Sequence, residues 1–315
     1  MAKAVRTKLI FWLSAALLVC PRPGAAAEST RIVTDQNNVY ITAGEWTLMR
    51  YRYSDVPYKP YVDRLFTPRR LNVLLDAPHD HLHHHGLMYA ITVDGVNFWE
   101  EFKAPGRQAH VRFCDVHVAG GQGRSSASVS EVLDWKNPRT GELLLVEQRT
   151  IAASYLPKHK VTLLTWTSAF EPAGSRESIT LTGSHYQGLG LRFIRAMDAN
   201  GRFRNADGRQ GKVFRGDERL VRSKWCAYTA AVGDANVTVA MFDSPDNERH
   251  PATWFTMARP FAYLSATLAL HESPVILRAG KPLVLRYGVA LWDGRTSAEE
   301  IEKTYHRWVA LAAKP

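Results

Sequence analysis

The stretch "LMYAITVDGVNFW" (residues 87–99) reads as two short β runs joined at Asp94-Gly95. An Asp-Gly pair between apolar and β-branched residues is a tight hairpin turn, because the central positions of such turns need positive φ. Working outward, the same grammar recurs at "LNVLL" (71–75), "VRFCDVHV" (111–118), "ELLLVEQRTIAAS" (142–154), "KVTLLTWTSAF" (160–170), "SITLTG" (178–183), "LGLRFIRA" (189–196), "NVTVAMF" (236–242), "YLSATLAL" (263–270) and "PLVLRYGVALW" (282–292). Gly, Pro, Asn or Asp separates most of these runs, which predicts a dozen strands or more. Only the C-terminus reads as helix. Ser297 with Glu300 three residues on resembles a capping box, and Ile301, Tyr305, Trp308 and Val309 then fall on one stripe. With no βαβ alternation, internal repeat or long linker, the sequence predicts an all-β fold: one large antiparallel β-sandwich over residues 28–315, closed by a C-terminal helix.

Residues 1–27 stand apart from that domain. A basic start through Lys8, an apolar run from Leu9 to Val19, and "GAAAE" with a small-residue cleavage position after Ala27 predict a secretory signal peptide. Val19 rather than a small residue precedes Cys20, which argues against a lipoprotein signal. The expected location is periplasmic or secreted, with no stable membrane span once the signal is removed. Loss of this segment takes four basic residues and no acid, lowering the formal charge from +10 to +6. No Lys/Arg run clusters that charge, so nucleic acid is not the expected partner. The mature chain keeps Cys114 and Cys226, either paired or as two free thiols, and lacks any CxxC, which disfavours a thiolate zinc site.

The densest chemistry is "PHDHLHHHG" (78–86), which holds five of the twelve histidines. If the segment is extended, His79, His81, His83 and His85 share one face, and an H-x-H pair such as His81 and His83 can aim two imidazoles at a divalent metal ion. Without metal, the same imidazoles are general acids or bases near neutral pH and hydrogen-bond partners for sugar hydroxyls. A third possibility is a His-rich surface loop. Against it stand Pro78 and Gly86, which bracket the cluster, and the apolar strand that follows at once.

"DHLHHHGL" followed by "DGVNFW", preceded by "YKPYV", and followed downstream by "GLGLR" and "MFDSPDNERHPATWF", resembles a family of bacterial proteins that carry the label "methane oxygenase PmoA". The matching blocks run from about Tyr58 to Gly294. The chain has no transmembrane segments of the kind the membrane copper enzyme uses, so methane oxidation is not an expected activity. The family pattern Asp-His-Pro-His-His-Arg-Gly falls on Asp80, His81, Leu82, His83, His84, His85 and Gly86, with Leu82 in place of Pro and His85 in place of Arg. The second departure removes a permanent positive charge. The resemblance implies export, a sandwich similar to the galactose-mutarotase-like proteins, and chemistry on carbohydrates.

Further candidates surround the cluster. "FDSPDNERHPATW" (242–254) offers Asp243, Asn247, Arg249 and His250 for sugar hydroxyls and Trp254 as a stacking face, or else Asp243 and Asn247 cap turns around Pro245 and Pro251. Arg192 lies amid apolar neighbours and needs a partner: it pairs with Asp243 or Glu248, or it faces substrate as a binding residue. Trp99 and Trp225 serve as core or platform, Glu100, Glu101 and Asp80 are candidate acid–base carboxylates, and Tyr58 and Tyr61 line the cleft or pack beside it. No Gly-rich phosphate loop, G-x-S-x-G elbow or H-E-x-x-H helix is present. The expectation is an exported carbohydrate-active enzyme, hydrolase or lyase, with Asp80, His81, His83 and His84 at its centre. A non-catalytic sugar-binding module and a metal-dependent oxidoreductase or lyase are the alternatives.

Overall fold

The computed structural model describes residues 30–121 and 124–312; the segment read as a signal peptide lies outside them. Among the described residues no helix is long and apolar enough to cross a membrane. The described residues build a ten-stranded, an eight-stranded and a four-stranded antiparallel sheet, so the all-β sandwich with its C-terminal helix is the observed fold.

The opening stretch serves two of these sheets. Leu87–Ala90 joins the ten-stranded sheet between Tyr61–Leu65 and Gly188–Arg192. After Ile91, Thr92–Val93 turns at Asp94-Gly95 onto Val96–Asn97, in the expected hairpin, which belongs to the four-stranded sheet. The single run read over residues 87–93 is thus broken at Ile91. Likewise, residues 71–75 make only isolated bridges, Phe66 to Asn72 and Leu74 to Phe193, rather than a strand.

Face assignment follows from register. Tyr89 points into the sandwich, where its ring packs on Trp135 and Phe170 of the eight-stranded sheet at 6.4 and 5.2 Å. Its neighbours in the pleat therefore point the other way. Met88, Gly190 and Ser265 are in register across three strands, as are Arg192, Tyr263 and Met257, and Phe255 opposes Ser265. This outward face of the ten-stranded sheet is apolar and aromatic. Loops roof it, and the histidine segment lies there.

The C-terminal helix, Ala298–Ala312, closes the opposite side. The backbone N–H of Glu300 donates to Ser297 Oγ at 3.2 Å, the expected cap. Ile301, Tyr305 and Trp308 are buried against Trp225, Phe242, Ala290 and Trp292 of the eight-stranded sheet. Trp308 Nε1 donates to Thr165 Oγ1 at 3.0 Å. Trp308→Ala is expected to cost about 3–4 kcal/mol by opening a cavity under the helix, measured by urea denaturation. A loss below about 1 kcal/mol would mean that the helix contributes little to the domain's stability.

Cys114 and Cys226 are both free, the first exposed and the second buried. They sit on the first and seventh strands counted across the eight-stranded sheet, which keeps them unpaired.

Candidate active site

The histidine segment is not extended, so the expected alternation of His79, His81, His83 and His85 on one face does not occur. Two successive turns fold it, with His81 N–H donating to the Pro78 carbonyl (2.8 Å) and His84 N–H to that of His81 (3.0 Å). Asp76 bridges back to His85, and Gly86 closes the loop at φ 54°, where a Cβ would lie 2.3 Å from the Val62 carbonyl oxygen. Only glycine fits that position. Turn geometry rather than pleat decides which imidazoles meet. His81, His83 and His84 converge, and His85 is turned away beneath them.

The three rings share one cavity of ≈ 230 Å³ with Trp99, Glu100, Tyr186, Arg215, Glu218, Phe255, Met257, Phe261 and Tyr263. His81 stacks on His84 at 4.7 Å, and His83 meets His84 edge-on at 4.5 Å. Phe261 and Tyr263 pack on His84 at 5.5 and 4.9 Å. Gly190 floors the site, because a Cβ there would stand 2.1 Å from the Tyr263 hydroxyl and 2.9 Å from the Trp99 ring.

Burial holds His84 far below the ordinary histidine range, reinforced by the neighbouring His83, His81 and Arg192, so it is neutral. Burial also lowers His83, aided by Lys59 and His81 and opposed by Glu100, whose Oε2 lies 3.5 Å from its Nε2. Glu100 is oriented on its other oxygen by Tyr186, which donates at 3.1 Å, while Asn97 Oδ1 accepts from the Glu100 backbone N–H. Three buried polar atoms of cavity-lining residues, His81 Nδ1, His84 Nδ1 and Trp99 Nε1, have no hydrogen-bond partner. Unpartnered buried polar atoms are uncommon in folded proteins, and they gather here around one cavity. Asp80 is exposed and outside the cavity lining, with one oxygen 3.3 Å from His81 Nδ1 and the other 3.6 Å from the Arg195 guanidinium.

Beneath the cavity runs a chain of charges. His85 Nδ1 pairs with Asp76 at 2.8 Å and Nε2 with Glu101 at 2.9 Å, and its ring stacks on Tyr61 at 4.4 Å. Lys59 Nζ donates to Glu101 at 2.5 Å, and Tyr61 donates to Asp76 at 3.0 Å. Burial pushes His85 down, but the two carboxylates outweigh it and raise its pKa above the ordinary value. Replacing His85 with Phe leaves Asp76 and Glu101 facing each other and is expected to cost about 3 kcal/mol, whereas Arg should restore most of it. Because the folded pKa is raised, that stabilisation is complete below the unfolded value of about 6.5 and fades as pH climbs through the folded value. The gap between wild type and His85→Phe in urea denaturation should be wider near pH 6 than near pH 9. A pH-independent gap would show that the imidazole acts only by packing.

The other sequence candidates lie elsewhere. Arg192 is buried behind Phe261, its guanidinium 3.9 Å from that ring, and pairs with Asp198 at 3.6 Å rather than with Asp243 or Glu248. Asp243 accepts from Asn247, His250 and the Ala252 backbone, and Asn247 in turn ties Arg286, so residues 243–252 form a self-satisfied turn. Arg249 donates to the carbonyls of Leu268, Ser273 and Pro274. Trp254 is fully buried in the sandwich and donates to the Ser223 carbonyl. None of these reaches the histidine cavity. Tyr61 and Glu101 act from below, and Glu100 and Trp99 line the cavity itself.

Tyr186, Arg215, Glu218, Phe261 and Tyr263 line it without having been singled out in the sequence. Their one signal is position: Tyr186 and Tyr263 flank or enter strands paired directly to Leu87–Ala90 or its neighbour. His81 and His83 do come together, at 5.8 Å between rings. However, no group of three or more His, Cys, Asp or Glu among the described residues is placed to hold a metal ion, which leaves the H-x-H pair without a third protein ligand.

Comparison with solved structures finds an α-galactosidase, AgaB, from Geobacillus stearothermophilus, 12% identical with a TM-score of 0.49 over 88% of this chain and 43% of that one. AgaA from the same organism gives 11%, 0.43, 89% and 42%. The α-galactosidase from Lactobacillus brevis gives 9%, 0.41, 87% and 40%. The chain thus spans about two fifths of the length of these enzymes. No curated protein matches it. Residues 38–306, which include every residue of the cavity and of the charge chain beneath it, match one family over most of the chain, and the protein belongs to that family, described as "Family of unknown function (DUF6807)".

Proposed function

We propose that this protein is an exported enzyme that cleaves or rearranges a glycoside, with His83, His84 and Glu100 around the reacting bond. The observation that carries this reading is the meeting of two neutral imidazoles, His84 buried and His83 half-buried, with a tyrosine-oriented carboxylate inside an aromatic cavity. Aromatic walls with a few placed polar groups suit a sugar ring, whose faces are apolar and whose edge is hydroxylic. At ≈ 230 Å³ the cavity is smaller than the roughly 300–1,000 Å³ of drug-sized sites and matches a single ring. The basic and then apolar start of the chain, ending in "GAAAE", supports export to the periplasm or beyond.

A neutral imidazole beside a carboxylate can take a proton from water or from a carbon next to a carbonyl, with the carboxylate steadying the imidazolium that results. The first route is hydrolysis and consumes water; the second is elimination and does not. Incubation with a panel of glycosides in ¹⁸O-labelled water separates them. Hydrolysis places the label in a product, whereas elimination yields an unlabelled unsaturated sugar. Saccharide binding without turnover of any glycoside would sink the enzymatic reading and leave a binding module.

A further inference from the structure

We propose that a second sugar subsite lies beside the histidine cavity, with Phe214 as its stacking platform, so that the substrate carries at least two linked rings. This rests on the carbohydrate reading above and names its substrate class more closely. The groove has a volume of ≈ 280 Å³, close to that of the histidine cavity, and is bordered by Phe214, Leu220, Arg222, Thr253, His271 and Glu272. Leu220 and Thr253 belong to Glu218–Arg222 and Thr253–Met257, the strands that also supply Glu218, Phe255 and Met257 to the histidine cavity. Leu220 is in register with Phe255, which places both openings on the same outward face.

His185 forms the partition. Its ring lies 3.7 Å from Phe214 and 6.1 Å from His271 on the groove side, and 5.5 Å from Phe255 on the cavity side. Its Nε2 is 3.0 Å from Glu218 Oε2. Two features of the groove call for a ligand. Phe214 is 48% exposed although one face is covered by His185, and it meets His271 nearly at right angles, 6.1 Å away, making an aromatic corner. The Nδ1 atom of His271 is buried without a hydrogen-bond partner. An exposed aromatic face stacks on a sugar ring, and the His271 imidazole and the exposed Glu272 carboxylate, 3.8 Å apart at the groove border, are polar partners for its hydroxyls.

The test is titration calorimetry with glucose and galactose against maltose, cellobiose, lactose and melibiose, on wild type and on Phe214→Ala and His271→Ala. At least one disaccharide is expected to bind about tenfold tighter than its component monosaccharides, since a second subsite adds contacts within one binding event. Phe214→Ala should erase that advantage while leaving monosaccharide affinity within about twofold, and Phe214→Trp should retain it. Equal wild-type affinity for one and two rings, or an equal loss for both in Phe214→Ala, would overturn the subsite. If no saccharide of either length binds, the subsite and the carbohydrate reading both fall. A ring-number preference without turnover would uphold the subsite while removing only the catalytic claim.

Discussion

Alanine at His83 should leave the domain folded and lower kcat/KM on the best glycoside by about 10²–10⁴-fold, the range lost when a positioned acid–base group is removed. The ring is only part-buried, lies at the edge of the imidazole group, and makes no hydrogen bond that holds a strand. The substitution therefore separates chemistry from stability. Its pH signature has a defined sign. Burial and nearby positive charge lower the His83 pKa, so the neutral base persists below the ordinary value of about 6.5, and kcat/KM should stay high until pH falls beneath that point. Glu100 opposes this lowering across 3.5 Å. Glu100→Gln should therefore move the acid limb to still lower pH, whatever it does to the maximum rate. An acid limb that stays in place in Glu100→Gln, or that survives in His83→Ala, would assign the titrating base to another group.

The β architecture was legible because alternation and turn chemistry are local: the hairpin at Asp94-Gly95, the long runs around Ile151 and Trp166, and the capped helix after Ser297 all appear where patterning puts them. The break at Ile91 was not legible, since a uniformly apolar run carries no mark of passing from one sheet to another. The histidine loop shows the same limit at the site. Pro78 and Gly86 announced a bracketed loop, but period-2 reasoning grouped His85 with His81 and His83, whereas two turns carry it to the opposite side. In residues 243–252 the turn residues satisfy one another, which the Pro-flanked Asp and Asn permitted without requiring. Tyr186, Glu218 and Phe261 reach the cavity from strands and loops distant in sequence, so topology alone assembles them with His84.

The largest loss of stability should follow from Arg149→Met, at about 5 kcal/mol, the upper end for removing one partner of a buried ion pair. Arg149 has no exposed surface and uses all five of its donors: two on Glu147 (2.8 and 2.7 Å), one each on Tyr51, the Pro60 carbonyl and Gln108 (3.0, 3.0 and 2.9 Å). Tyr51 belongs to Trp46–Arg52 in the ten-stranded sheet, while Glu147 and Arg149 alternate along Leu143–Leu156 in the eight-stranded one, so the guanidinium staples the two sheets from inside. Methionine fills the volume but leaves Glu147 as an uncompensated charge. A buried ion pair can often be exchanged for apolar residues at little cost, and Glu147→Leu with Arg149→Met tests whether that holds here. It should not, because Trp135 Nε1 (2.9 Å) and Ser168 Oγ (2.5 Å) also depend on Glu147. Each orphaned buried donor costs about 1–3 kcal/mol. The double variant is therefore expected to recover less than half of the loss in urea denaturation. Recovery to wild-type stability would mean that the network sets only the register of the sheets and contributes nothing to holding them together.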